Sequence, residues 1–246
     1  MNAPENSAGS GLPEQPDEKR FEHRGAMFDA LAREVTERLA QAIDQRGEAT
    51  LVVSGGSTPQ PLFDLLSGAD LDWSKVTVTL ADERWVDKAH KDSNALMVRE
   101  TLLRDRAAAA RFVSLKTEDP SPEQGEPELE ERLQRDLKAP LDFVLLGMGT
   151  DGHTASLFPG GDQLARALNA PGGVRCCALR APGAPQARMT LTAPFLLKSR
   201  QIVVLCTGET KARVFSDALA PGPREDLPIR AILRQSRTPV TFYWAP

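Results

Sequence analysis

A doubly wound α/β fold, with a mostly parallel sheet and helices on both faces, is what this sequence predicts. Short apolar strand candidates alternate with helical patterns along the chain, which argues for strand-helix-strand units and a parallel sheet. Phe143, Val144, Leu145 and Leu146 form a continuous apolar run between Pro140 and Gly147, as in a strand covered on both faces. Several strand candidates also run straight into glycine-rich or charged turns, where an open α/β sheet places its ligands.

Each element has its own signal. Residues 1–20 are polar, lack the apolar core of a signal peptide, and are expected to form a disordered tail ahead of a single domain, 21–246. From Met27 to Arg46, Met27, Phe28, Leu31, Val35, Leu39 and Ile43 recur at helical spacing, and Gly47 supplies a stop. A strand at Thr50 to Ser54 leads through SGGSTP into a helix near Pro59 to Leu66. A second strand, Val76 to Leu80, ends at Asp82-Glu83-Arg84, and Ser93 is placed to cap a helix running to about Arg104. Phe112 to Leu115 reads as a short strand, Pro127 to Lys138 as a charged helix, and the Leu141 segment as the next strand. Further strands are expected around Val174 to Leu179, at Gln201 to Cys206 and at Val240 to Trp244, with a helix from about Glu209 to Leu219.

Composition excludes several classes of function. The chain of 246 residues is 41% hydrophobic and 26% charged, ordinary for a globular protein, and its net charge of −4 gives no support to nucleic-acid binding. No apolar run approaches the roughly 18 residues that span a bilayer, so no membrane partner is expected. Cys176, Cys177 and Cys206 are odd in number and sit in apolar surroundings, which suits buried reduced thiols in a cytoplasmic protein better than a disulfide frame or metal site.

The segment LVVSGGSTPQPLF passes from a strand through glycines into a helix, with Ser57 or Thr58 at the cap and Pro59 at the first position. Free amides and the helix dipole there favour an anion, and Gly55 and Gly56 let backbone N–H groups converge beside Ser54. In isolation the motif fits an ordinary glycine turn equally well. Asp82 could bind sugar hydroxyls and Arg84 could fork onto phosphate, with Asn94 a loop later, although a lone DER triplet is more often a solvated turn. Arg188 and Lys211 add cations near other strand ends. Lys211 gains weight only from that shared rim. His153 follows the glycine-rich end of the Leu141 strand with Asp151 beside it, whereas His90 lies in a charged loop and His23 near the tail. His153 is the candidate general base and Asp151 its orienting partner, the alternative being a structurally satisfied histidine. Three histidines without a second close ligand make a zinc site a poor fit, and no G-x-S-x-G elbow is present.

Taken together, SGGSTP at Ser54 to Pro59, DERWV at Asp82 to Val86, GMGTDGHTASLFPG at Gly147 to Gly160, RMTLT at Arg188 to Thr192 and TGETKA at Thr207 to Ala212 closely resemble the 6-phosphogluconolactonase family. The resemblance implies hydrolysis of 6-phospho-D-glucono-1,5-lactone in the oxidative pentose phosphate pathway, without metal or other cofactor, and a fold shared with glucosamine-6-phosphate deaminases. It implies a small phosphorylated sugar lactone as the partner; a monomer is expected, a dimer being the alternative. The deaminases are the rival reading, but they carry a glutamate five residues after the histidine, where this chain has Phe158. A non-catalytic sugar-phosphate sensor is the alternative of another class. Asp87 departs from the pattern, since proline is common there in the family.

Overall fold

The computed structural model describes residues 15–246. In chain order the elements are β1 (Asp17–Arg20), α1 (Arg24–Arg46), β2 (Ala49–Val53), α2 (Gln60–Ser67), β3 (Val76–Leu80), β4 (Asp82–Arg84), α3 (Asn94–Thr101), β5 (Arg111–Val113), α4 (Pro122–Asp136) and β6 (Phe143–Leu146). There follow α5 (Leu164–Leu168), β7 (Cys176–Leu179), β8 (Arg188–Leu191), α6 (Ala193–Leu196), β9 (Ile202–Thr207), α7 (Glu209–Leu219), α8 (Arg230–Leu233) and β10 (Val240–Ala245). Seven strands form one sheet in the order β1-β10-β9-β6-β2-β3-β5, every pair of it parallel. This is the expected doubly wound α/β architecture. From β2 the chain winds outward through β3 and β5, then returns to β6 on the other side of β2.

The apolar periodicity of α1 becomes a buried stripe of Met27, Phe28, Leu31, Val35, Leu39, Ala42 and Ile43. Gly47 closes that helix in the left-handed conformation at φ 78°, its N–H donating to Ile43 O, which is the glycine stop expected at this position. His23 caps the start, its Nδ1 accepting from Ala26 N. Every residue of β2, β6 and β7 is buried, and Phe215 of α7 stacks on Phe242 of β10 with ring centroids 3.7 Å apart.

The structure departs from the sequence reading in four places. Residues 1–14 of the expected tail lie outside the described residues, but Asp17–Arg20 pairs with Thr241–Trp244 as β1. Strand pairing is a long-range interaction that a run of four charged residues does not advertise. The strand expected at Val174 to Leu179 is not in the parallel sheet: β7 joins β8 and β4 in a separate antiparallel sheet. Residues 180–187 leave no room for the crossover that parallel pairing of β7 with β8 would need. Helix α4 begins at Pro122 behind a Ser121 cap, leaving Pro127 inside it. Helix α2 has Pro59 at its cap position and no side-chain cap bond from Ser57 or Thr58. At the departure from the family pattern, Asp87 Oδ1 accepts from Ala89 N at 2.8 Å and shapes a turn without proline.

The three cysteines are buried and free. Burial pushes the Cys177 thiol up to about 11 and that of Cys206 up to about 12, so both are protonated at neutral pH.

Because both rings of the Phe215–Phe242 stack are fully buried, Phe215→Ala should lower unfolding stability by about 3–5 kcal/mol, read as a fall in the denaturant midpoint at unchanged slope.

Candidate active site

In-register pairing of Val53 with Leu80 and Leu145, and of Leu146 with Val204, brings the carboxyl ends of β3, β2, β6 and β9 to one edge of the sheet. The reversal of winding between β2 and β6 opens the crevice there. A cleft of about 430 Å³ occupies it, within the size range of small-molecule sites.

Most of the sequence-predicted residues meet in this cleft. Ser54, Gly55, Gly56, Ser57 and Thr58 line it from the β2–α2 connection, Asp82 and Arg84 from β4, Asn94 from the start of α3, His153 from the turn after β6, Arg188 from β8 and Lys211 from the first turn of α7. Asp151 is not part of the lining; it stands behind His153. Its Oδ1 is 2.6 Å from His153 Nδ1 and also accepts from His153 N at 3.1 Å.

Backbone geometry dictates that pairing. Gly149 N donates to His153 O and Gly152 N to Gly149 O, a tight loop closed by Thr154 Oγ1 donating to Gly147 O at 2.8 Å. Gly152 turns at φ 75°, and a Cβ there would meet Leu227 Cδ2 at 2.5 Å. A Cβ on Gly149 would stand 2.2 Å from His153 Nδ1 and 2.4 Å from Asp151 Oδ1. The glycines let the loop fold around the Asp151–His153 pair. From outside, Ile229 N donates to Gly152 O at 2.9 Å.

The opposite wall is cationic. Antiparallel pairing of β4 with β8 sets Arg84 directly across from Arg188. Arg84 Nη1 donates to Asp92 O at 2.7 Å, and Arg188 Nη1 lies 3.5 Å from Asp82 Oδ2. Asp82 Oδ2 also accepts from Ser156 Oγ at 2.5 Å. Burial lowers the Arg188 pKa and the Arg84 charge adds to the effect, with Asp82 opposing both. Among the described residues six buried side-chain polar atoms have no hydrogen-bond partner, and three of them, Ser54 Oγ, Arg84 Nε and Arg188 Nε, belong to residues lining this cleft. Buried polar groups are normally satisfied, so these three atoms are left with bonding capacity facing the cleft.

Sequence reasoning missed the groups that hold the lining in place. Glu83 accepts from Arg84 N, Asn94 N and Ala95 N at 2.7–2.8 Å, and from Ser93 Oγ at 3.2 Å. It thereby ties the start of α3 to β4 and sets Asn94, whose Nδ2 donates to Asp82 O at 2.9 Å. Burial pushes its carboxyl up even though those amides favour the anion. The period of two in a strand could have found it: Asp82 and Arg84 share one face of β4, and Glu83 faces the other. Gly55 is also explained by Asn94, since a Cβ there would fall 1.9 Å from Asn94 Oδ1. Phe158, read in the sequence only as a missing glutamate, stacks on His153. His90 and His23 lie outside the cleft lining. Among the described residues no three His, Cys, Asp or Glu side chains gather to hold a metal ion, and no helix is long and apolar enough to cross a membrane.

Residues 22–244 match the family model described as glucosamine-6-phosphate isomerases/6-phosphogluconolactonase. The chain is 47% identical over 228 residues to a 6-phosphogluconolactonase of Rhizobium meliloti, covering 92% of this chain and 97% of that protein. It is 43% identical to one from Pseudomonas aeruginosa, over 88% of this chain and 89% of the other. A crystal structure of a 6-phosphogluconolactonase from Shewanella baltica superposes with a TM-score of 0.92 at 42% identity, covering 96% of this chain and all of the other. A monomeric glucosamine-6-phosphate deaminase shares the fold alone, with a TM-score of 0.71 at 18% identity. A match that runs from just after β1 into β10 takes in every element bordering the cleft, and the chain belongs to the glucosamine-6-phosphate isomerase/6-phosphogluconolactonase family.

Proposed function

We propose that the chain hydrolyses 6-phospho-D-glucono-1,5-lactone to 6-phospho-D-gluconate, the second step of the oxidative pentose phosphate pathway, in the cytoplasm and as a monomer. The observation that carries this reading is the 2.6 Å contact between Asp151 and His153, set across a cleft from Arg84, Arg188 and Lys211. One side can move a proton and the other can hold an anion.

The 6-phosphate sits against the Ser54 to Thr58 amides and is clamped by Arg188 and Lys211, with Arg84 alongside. Asp82 and Asn94 face the sugar hydroxyls. With Asp151 accepting from Nδ1–H, the His153 lone pair lies on Nε2, the correct tautomer for a general base. His153 Nε2 takes a proton from water as the water oxygen attacks the lactone carbonyl. Negative charge then develops on the carbonyl oxygen, where backbone N–H groups of the glycine-rich turn can meet it. Collapse breaks the bond between the carbonyl carbon and the ring oxygen. The ring oxygen takes the proton back from His153 and leaves as a hydroxyl, and the new carboxylic acid ionises to carboxylate. Every step uses side chains and amides of this chain.

Deaminase chemistry lacks support at one position, because Phe158 places an apolar ring against His153 where that reaction is expected to use a carboxylate. Ammonia release from glucosamine 6-phosphate should therefore stay at background.

His153→Ala should lower kcat for the lactone by ~10²–10⁴ while binding of 6-phosphogluconate persists; undiminished hydrolysis in a direct assay, corrected for spontaneous opening, removes the base assignment. Lys211→Met should raise KM roughly 10-fold or more with kcat little changed, and an unaltered KM counts against a phosphate contact. Gly149→Ala, whose new Cβ would press on both members of the pair, should cut kcat on the order of 10² by displacing them; a wild-type kcat would show that the tight loop is dispensable.

A further inference from the structure

Phe158 touches both His153, the proposed base, and Arg188, a proposed phosphate ligand. Its ring centroid is 4.0 Å from that of His153, with 26° between the planes. The guanidinium carbon of Arg188 stands over the same ring, 5.0 Å from its centroid. His153 is thus held at one edge by Asp151 and on its face by Phe158. A hydrogen bond to one ring nitrogen leaves the imidazole free to tilt about that contact, and a flat apolar neighbour removes this freedom. Arg188 for its part has the Phe158 ring, the Asp82 contact at 3.5 Å and an Nε without a partner.

The backbone reinforces the link. Phe158 N donates to Ser156 O at 3.1 Å, and the hydroxyl of that same Ser156 donates to Asp82 Oδ2. The carboxylate that restrains Arg188 therefore also anchors the turn bearing Phe158. A charged group over an aromatic face and a ring stacked upon it are both sensitive to where that face lies.

We infer that Phe158 is a positioning residue that couples the anion-binding Arg188 to His153, so that seating the substrate phosphate on the guanidinium sets the orientation of the imidazole. The inference rests on the assignment of His153 as base and Arg188 as phosphate ligand. Leucine or methionine would fill much of the volume but offer neither a flat face nor an aromatic quadrupole; tyrosine retains both.

The test uses the full chain with 6-phosphogluconolactone as substrate and 6-phosphogluconate as the binding probe. Phe158→Leu, with Phe158→Met as a second aliphatic variant should the first fold poorly, is expected to lower kcat about tenfold and move KM by less than about threefold. Phe158→Tyr should restore kcat to within about twofold of the parent. The imidazole carbon-bound protons of His153, followed by NMR, should lose their aromatic ring-current shift in the aliphatic variants and cease to respond to 6-phosphogluconate. Combining Phe158→Leu with Arg188→Lys should cost less in kcat than the product of the single effects, as expected of residues acting through one contact. A normal kcat in both aliphatic variants, tyrosine as damaging as leucine, or fully multiplicative effects would each overturn the coupling. His153→Ala run in parallel separates the two readings: activity retained there defeats the base assignment, and activity lost there with Phe158→Leu unaffected defeats the coupling alone.

Discussion

Everything in the cleft depends on the placement of β6. Its four residues are buried, and the middle two pair on both sides, Val144 with Val52 and Ile202, Leu145 with Val53 and Val203. A parallel strand locked between two neighbours has no soft direction, because a slip of one residue turns every side chain to the other face. The chain therefore leaves the sheet at Gly147 in one place only. The loop that follows inherits this rigidity and passes it to Asp151 and His153 through short internal hydrogen bonds. Glu83 plays the matching part on the other wall, where one buried carboxylate gathers three backbone amides and ties β4 to α3.

The arginine wall shows a different kind of constraint. Like charges directly opposite one another across antiparallel strands repel, and Arg84 faces Arg188 in that way. Asp82 and the Asp92 carbonyl offset part of the repulsion. Burial makes the remainder more costly, as the lowered pKa of Arg188 reflects. On the proposed reading, a phosphate entering between the two guanidiniums offsets the repulsion without moving the scaffold, which is the meaning of electrostatic preorganisation.

Much of this was legible in the sequence, for reasons that are local. The continuous apolar run Phe143 to Leu146 suits a strand covered on both faces better than a half-exposed one, and the spacing from Met27 to Ile43 is that of an amphipathic helix. Glycines after strands marked where backbone must turn tightly, so the cleft lining could be named before the strands were ordered. What escaped notice depends on partners distant in the chain. Glu83 looked like one member of a solvated triplet because its four donors lie ten or more residues away, except for its neighbour Arg84. Phe158 looked like an absence until its ring met His153 and Arg188. The second sheet was hidden because β7 is as apolar as a parallel strand, and only the short connection to β8 selects the antiparallel partner.

The strand β1 has a consequence for how the protein keeps to itself. It lies along β10, whose Val240, Phe242 and Tyr243 belong to the buried core, and all four of its own residues are exposed and charged. An uncovered, apolar parallel strand at a sheet edge is a template for pairing with another chain. Asp17–Arg20 occupies those backbone donors and acceptors and replaces an apolar rim with a row of charges, two acidic and then two basic. Four residues that read as part of a loose polar tail thus put charge where the sheet would otherwise end in an apolar strand, the arrangement by which sheet edges are kept from pairing with other chains.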